Sequence, residues 1–470
     1  MAIDIHKLDN DSLIKYIELR WKEHKSRLPD MQVGNNYYKG DQDILDKMRL
    51  GIGKDGKVEV IPNLPNARLL DNQYKKAVDN KINYILANPP KITSDNEKYN
   101  ELITDLMDYR YIRTFKEVMK DVYNCGVGWL YVYVAENGND IKYLKMSPFE
   151  ICPLWKDGNE DKLDGVIREK TFEVFEDDEI KIKKEFELYL ETIIKIFTVN
   201  DNGKLEFKED RPYIKDGKVF KHYSNVPFIY FKNPDGRSLV YRVKCLQDAL
   251  NYMMSNYMDR MLEDPRNSIL VIKNFSGEDL GEFRHNIMQY GAINVEETRE
   301  LKGGVESLEI EVNSENYKII IDMLKKAIVD NAKTIDMQNL RAGLGANPNE
   351  MTITALYQDM ELDANDIELE IQASLEYFQN FIKMIYGVNT DDLATIKFNR
   401  NVMLNKESLI NMINMSIDTM ALEDRVKLNP LNENAEEAWN KVQAEKEDML
   451  DDYMSRSESL EKAGKVNEED

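Results

Sequence analysis

Between Ser314 and Tyr386, apolar residues recur at helical spacing on both sides of one interruption. Past it, Ile353, Tyr357, Met360, Ala364, Ile367, Ile371, Phe378, Phe381 and Ile385 alternate in steps of four and three, and Ser374 breaks the seam. This spacing keeps one stripe on one side of a helix and approaches the roughly 3.5-residue repeat of coiled-coil packing. Thr352–Tyr386 predicts a rod of roughly 50 Å at about 1.5 Å per residue. No single small core needs such a rod, so the pattern points to an elongated subunit whose long helices pack against copies of themselves. A second seam starts at a Ser238 cap and runs to about Leu262 through Leu239, Val243, Leu246, Leu250, Met253, Tyr257 and Met261, and Pro265 stops it. Between the two seams, Asn267–Lys273 predicts a strand, Gly277–Asn286 a short helix, and Gly291–Asn313 short strands around Gly303 and Gly304.

The rest of the chain alternates between the two periods. Asn10–Lys25 predicts an amphipathic helix, Asn36–Leu50 a short helical patch, and Asn66–Asn88 a strong helix stopped by Pro89 and Pro90. Glu97–Leu106 and Ile112–Asn124 predict two more helices, the second passing through Gly126 and Gly128 into the strand Trp129–Val134. The Asn137 and Gly138 turn then returns the chain in Ile141–Met146. Strands follow at Glu150–Leu154, Gly165–Phe175, Lys181–Thr198, Lys204–Pro212 and Val219–Tyr223. Beyond Tyr386, Ala394–Phe398 reads as a strand, and Lys406–Met420 and Asn434–Tyr453 as helices. The tail Ser455–Asp470 has little to bury and is expected to be disordered. The fold class is α+β, mainly helical.

The 470 residues are 42% hydrophobic and 32% charged, a folded composition with room for several cores. A net charge of −23 disfavours nonspecific attraction to DNA or anionic lipid. It suits an ordinary acidic protein, or one that must meet a polyanion without sticking to it. Cys125, Cys152 and Cys245 lack metal-ligand spacing and read as buried small hydrophobes of a reducing compartment. With no apolar signal core and no run of about 18 apolar residues, the chain reads as intracellular when made, without a membrane span.

Candidate chemistry is sparse. Gly51 to Val58 contains GxxxxGK, ending at Gly56 and Lys57, but Val58 stands where a phosphate loop needs a hydroxyl. Pro62 and Pro65 prevent the helix that would hold phosphate, so a glycine turn between two short strands is the better reading. Gly126 and Gly128 follow a helix and precede a strand, the reverse of a dinucleotide fold. Glu361, Asp363, Asp366, Glu368 and Glu370 read first as a solvated helix face, then as an acidic surface facing a lumen, and last as a metal cluster. No GxSxG or HExxH motif accompanies them, and neither enzyme nor cofactor is expected.

Several stretches, in order, resemble the portal proteins of tailed double-stranded DNA bacteriophages, in the branch from siphophages of Gram-positive bacteria. They are Tyr37, Tyr38, Gly40 and Ile44; then Asn66, Ala67, Arg68, Asp71 and Asn72, continued by Ala77, Asp79, Lys81, Tyr84, Leu86 and Pro89. Gly126, Gly128 and Trp129, with Met146, Pro148, Glu150 and Pro153, follow; then Leu250, Asn251 and Ser255; then Met351–Tyr357 with Asp359, Asp363 and Asn365. Ala87 and Asn88 depart from the Gly that often precedes the Pro of that family's signature helix.

The resemblance implies a homo-oligomeric ring, typically of twelve subunits, at one capsid vertex. Double-stranded DNA would pass through its channel. Further implied partners are the terminase packaging motor, the head–tail adaptor, and the major capsid and scaffolding proteins, with no membrane. Carried over by segment, 1–237 is the wing with 129–232 its β-rich part, 238–264 the first stem helix, and 265–313 the clip. Then 314–338 is the second stem helix, 352–390 the long wing helix, and 391–454 the crown. The tunnel loop of the channel falls on Asn339, Leu340, Arg341, Ala342, Gly343, Leu344, Gly345, Ala346, Asn347, Pro348, Asn349, Glu350 and Met351. Gly343, Gly345 and Pro348 permit a bent excursion. Arg341 is its one cation, open to a transient phosphate contact or to a packing or salt-bridge role. A phage-associated ATPase or nuclease and a coiled-coil scaffold without a channel are the competing readings.

Overall fold

A computed structural model describes residues 4–52, 57–61, 64–135, 140–156, 162–176, 178–200, 202–216, 219–221, 223, 225–263, 269–273, 304–308, 314–336, 350–388, 391, 393–400, 406–432 and 434–466. The chain divides into two units, Met1–Thr334 with Leu362–Arg400, and Ile335–Glu361 with Asn401–Asp470.

In the first unit, the Asp9 carboxylate accepts the Ser12 N–H at 2.9 Å and opens α1 (Asn10–Lys25). Helix α2 is Leu28–Lys39 rather than the expected Asn36–Leu50. Gly40 ends it in the left-handed conformation, φ 95°, where the absence of a Cβ removes the steric cost. Strands β1 (Leu50–Ile52) and β2 (Val58–Val60) pair antiparallel, as expected of a stretch read as a glycine turn between two short strands. The turn residues Gly53–Gly56 lie outside the described residues. Helix α3 (Gln73–Leu86) starts later than Asn66, capped by Asn72, and residues 65–72 form neither helix nor strand. After β3 (Lys91–Thr93) come α4 (Glu97–Leu106) and α5 (Tyr109–Cys125), whose caps are Asn96 and Asp108.

Gly126, φ 84°, then turns the chain sharply into β4 (Val127–Val134). A Cβ there would press on the Arg237 backbone at 2.9 Å, and one at Gly128 on the Val118 carbonyl at 2.6 Å. These two glycines therefore serve close backbone approach, not a nucleotide. The expected hairpin forms between β4 and β5 (Ile141–Met146). Next comes an antiparallel meander of β6 (Ile151–Trp155), β7 (Leu163–Glu176), β8 (Glu179–Tyr189), β9 (Ile194–Val199) and β10 (Leu205–Arg211). Lys181–Thr198 thus forms two strands rather than one, folded where the Leu190 N–H donates to the Ile193 carbonyl at 3.0 Å. A small ribbon, β11 (Ile214–Asp216) with β12 (Val219–Lys221), precedes β13 (Phe228–Lys232), which completes the order β13-β4-β5. Leu13, Ile17 and Trp21 of α1 bury against Ile167, Leu188 and Phe197, while Trp129, Val166, Ile196 and Phe228 form a second core.

Helix α6 (Val240–Glu263) starts at Ser238, whose Oγ accepts the Val240 N–H at 3.2 Å. Strand β14 (Ile269–Lys273) pairs with β15 (Gly304–Leu308), and the expected helix Gly277–Asn286 lies outside the described residues. Helix α7 (Ser314–Asn331) packs on α6 and ends short of residue 338, with Lys333 left-handed at φ 49°. Helix α8 spans Glu350–Tyr386 and closes at Gly387, φ 65°. Strand β16 (Thr395–Lys397) then pairs with β3.

The seam of α8 is where the structure departs most from the sequence reading. Within the first unit, Ala364, Ile367, Ile371, Leu375, Phe378, Phe381 and Ile382 are all buried by the chain itself. The Phe378 ring stacks on Tyr111 at 5.6 Å, and Phe381 meets Tyr223 at 4.7 Å. This stretch of seam has an internal partner and does not await a copy of itself.

The second unit holds α9 (Lys406–Met415), α10 (Leu422–Leu428) and α11 (Ala435–Val466). α11 continues helical through Ser455–Val466, which the sequence reading assigned to a disordered tail. Glu458, Leu460, Glu461, Lys462 and Ala463 are helix formers, and no proline interrupts them.

Candidate channel and assembly site

Helix α6 carries a polar stripe beside its apolar seam. Gln247, Asn251, Ser255 and Asp259 stand four residues apart and are fully buried. Three of them accept backbone N–H groups from the segment before α3, and Gln247 accepts one from the first turn of α3. Asp259 takes Ala67, Ser255 takes Leu69 at 2.9 Å, Asn251 takes Asp71 at 3.1 Å, and Gln247 takes Tyr74 at 3.0 Å. The match is geometric. Four residues of helix rise about 6 Å, and two residues of extended chain advance about 6.6 Å, so the N–H groups of Ala67, Leu69 and Asp71 meet side chains four apart, and the last step, to Tyr74, is three residues. This pairing explains why Asn66–Asn72 is not helical despite its pattern: the N–H groups of Ala67, Leu69 and Asp71 are taken by side chains of α6.

The stripe is tied in further. Gln247 donates to the Asp71 carbonyl at 2.7 Å, and Asn251 donates to Gln42 Oε1 at 2.7 Å. Lys47 and Arg49 both neutralise Asp259, and Lys325 of α7 pairs with Asp71 at 2.9 Å. The stretches that carried the family resemblance, Asn66–Asn72 and Asn251 with Ser255, meet here in one network.

A second cluster sits where the chain leaves the first unit, after Thr334, and where it returns, at Leu362. Lys81 of α3, 2% exposed, donates to Asp363 Oδ2 at 2.6 Å and to the Lys333 carbonyl at 3.1 Å. Arg242 of α6 donates to Asp363 Oδ1 at 2.9 Å and pairs with Asp235, and Lys333 Nζ lies 3.6 Å from Asp363. Burial lowers the Lys81 pKa, and Asp363 works against that shift. For Asp363, burial raises the pKa, but Lys81 and Arg242 outweigh it and hold the carboxyl below its usual range. One carboxylate with three cations thus fixes the last turn after α7 and one point of α8.

Of the expected tunnel-loop residues, Asn339–Asn349 lie outside the described residues, and Glu350 and Met351 are the first two residues of α8. The acidic set of α8 separates. Asp363 is buried in the cluster, Glu368 pairs with Arg400, Glu370 lies 3.7 Å from Lys232, and Asp366 is exposed. Among the described residues, no group of three or more His, Cys, Asp or Glu could hold a metal ion, and no helix is long and apolar enough to cross a membrane. Burial pushes the Cys125 and Cys152 thiols up to about 12, so neither is a nucleophile at neutral pH. Cys245, expected to be buried, is exposed on α6.

Exposed apolar side chains gather on the α6 and α7 pair: Met258, Met261 and Leu262 on one, Ile319, Ile320 and Met323 on the other. The seam of α6 is accordingly divided. Leu239, Val243 and Leu250 are buried, whereas Met261 is 45% exposed.

Comparison with known proteins places the chain. Residues 17–451 match the family described as Phage portal protein, SPP1 Gp6-like. The chain is 26% identical over 456 residues to the portal protein of Clostridium phage phiCD119, spanning 92% of this chain and 97% of that one. To the portal protein of Bacillus phage SPP1 it is 25% identical over 430 residues, spanning 88% and 82%. A solved chain from the virion of the native gene transfer agent particle aligns at a TM-score of 0.39 and 11% identity, over 75% of this chain and 88% of that one. With the family match running through nearly the whole sequence, this chain belongs to the SPP1 Gp6-like family of phage portal proteins.

Proposed function

We propose that copies of this chain form a ring, typically of twelve, at one capsid vertex, and that double-stranded DNA is packaged and ejected through its channel. The family match over residues 17–451 carries this reading. The exposed apolar rows of α6 and α7 support it, because neighbouring subunits in a ring can bury one another's stripes. So does the net charge of −23, since a strongly basic lumen would hold phosphates by counterion release. In this reading α6 and α7 are the stem, 265–313 the clip that docks the packaging motor and later the head–tail adaptor, and 391–454 the crown. Residues 339–351 are the tunnel loop, and the Asp363 cluster anchors the chain on both of its sides. The protein acts mechanically and electrostatically rather than as an enzyme.

Electron microscopy of the purified protein tests the ring. Closed rings with a central channel are expected, and a monomer under all assembly conditions would refute it. Deleting Gly343–Asn349 should leave the rings intact and impair DNA packaging or retention; unchanged yields of filled heads would exclude the loop's role.

A further inference from the structure

Ser374, the one break in the α8 seam, lines a cavity of about 350 Å³ between α8 and the β-rich part of the first unit. Leu375 takes the buried seam position instead, while Ser374 and Ala373 present small side chains to the space. Ser374 Oγ lies within hydrogen-bond reach of the Tyr230 carbonyl on β13, which holds the helix against the strand while leaving the space unfilled. The opposite walls are aromatic. Trp155 and Tyr230 meet edge to face at 4.9 Å and 68°, and Phe228 and Tyr377 complete the lining. Tyr377 is fixed by donating its hydroxyl to the Val226 carbonyl at 2.8 Å.

The polar groups of the cavity are unbalanced. Glu370 and Glu376 contribute two carboxylates and Lys232 one ammonium. Lys232 stands 3.7 Å from Glu370, and both side chains are about a third exposed (29% and 31%). Lys232 is thus a loosely held cation on a carboxylate that accepts one. Perpendicular aromatic faces beside excess carboxylate attract a cation through ring quadrupoles and through charge. A flat guanidinium fits better than an ammonium, since it stacks on rings and can bridge a carboxylate in two places.

We propose that this cavity is a docking site for an arginine side chain presented by a partner protein. The inserted guanidinium lies against Trp155 and Tyr230 and takes over Glu370, displacing Lys232 into solvent. The net negative charge of the whole chain steers basic surfaces towards it.

The test uses the full-length protein and N-acetyl-arginine amide, followed by saturation-transfer NMR of the ligand. Saturable binding is expected with a dissociation constant on the order of 1–10 mM, the range of a single anchoring side chain. Ala373→Leu, at an exposed position, should weaken it at least about tenfold by filling the cavity, as should Glu370→Gln by removing the carboxylate. N-acetyl-citrulline amide, equal in shape but neutral, should bind at least about tenfold more weakly. The proposal is overturned by no saturation up to about 50 mM, by undiminished binding in Ala373→Leu, or by equal binding of the citrulline compound. None of these outcomes depends on whether the chain forms a DNA channel.

Discussion

Replacing Asp363 by Asn keeps the volume and an acceptor oxygen but removes the carboxylate that pairs with Lys81. Lys81 is 2% exposed, so its ammonium would stay buried beside the Lys333 carbonyl alone, or give up its proton. Breaking a buried pair in this way costs about 3–5 kcal/mol. Lys81→Met should cost less, about 1–3 kcal/mol, because Asp363 keeps Arg242 at 2.9 Å and Lys333 at 3.6 Å. The double variant has no unpaired buried ammonium, since Lys333 is 42% exposed, and should sit near the Lys81→Met value, well below the sum of the two single changes. Hydrogen exchange at the central amides of α3 and α8 reads the difference directly. Protection should fall by about two to four decades in Asp363→Asn and by about one to two in Lys81→Met. Equal losses in the two single variants, or additivity in the double, would refute the assignment of Lys81 as the dependent partner.

The stripe on α6 makes its own prediction: Ser255→Ala leaves the Leu69 N–H without its acceptor and should cost about 1–3 kcal/mol, seen as faster exchange across residues 66–72. Gly34→Ala should prevent α2 from seating on α5, since a Cβ there overlaps the Asn124 carbonyl oxygen and Ser238 Oγ; a Tm within about 1 °C of wild type would contradict this packing. Desolvation, reinforced by Arg27, lowers the His24 pKa to about 4 from 6.5. Its contribution, up to about 3 kcal/mol, is therefore present above pH 6.5 and is lost as pH falls towards 4. Burial raises Asp121 to about 6 from 3.8, with Lys145 opposing, so its contribution is present below 3.8 and lost as pH rises through 6. The slope of stability against pH between 4 and 6 should accordingly become less positive in His24→Gln and more positive in Asp121→Asn, which denaturant titration at several pH values will show.

Much of the architecture was legible from local pattern. The α6 helix and its Ser238 cap, the β4–β5 hairpin and the strand pair around Gly53–Gly56 each follow from period, cap or turn chemistry confined to a few residues. The order of motifs likewise pointed to the portal family before any fold was seen. What failed locally did so for nonlocal reasons. Asn66–Asn72 has a helical pattern, but its N–H groups bond to side chains on α6 some 180 residues away in sequence, as between Asp71 and Asn251. The spacing of Gln247, Asn251, Ser255 and Asp259 was visible as a polar row at helical period; its acceptors had no meaning until an extended segment lay along them. Similarly, the seam of α8 declared a buried face without saying what buries it, and only the packing of Phe378 on Tyr111 showed that the chain covers that stretch itself. By itself, the sequence determined elements, family and charge, because propensity, periodicity and net charge are properties of neighbours along the chain or of the whole composition. Tertiary structure alone decided which polar groups would be buried together, because a buried hydrogen bond or ion pair depends on partners distant in sequence.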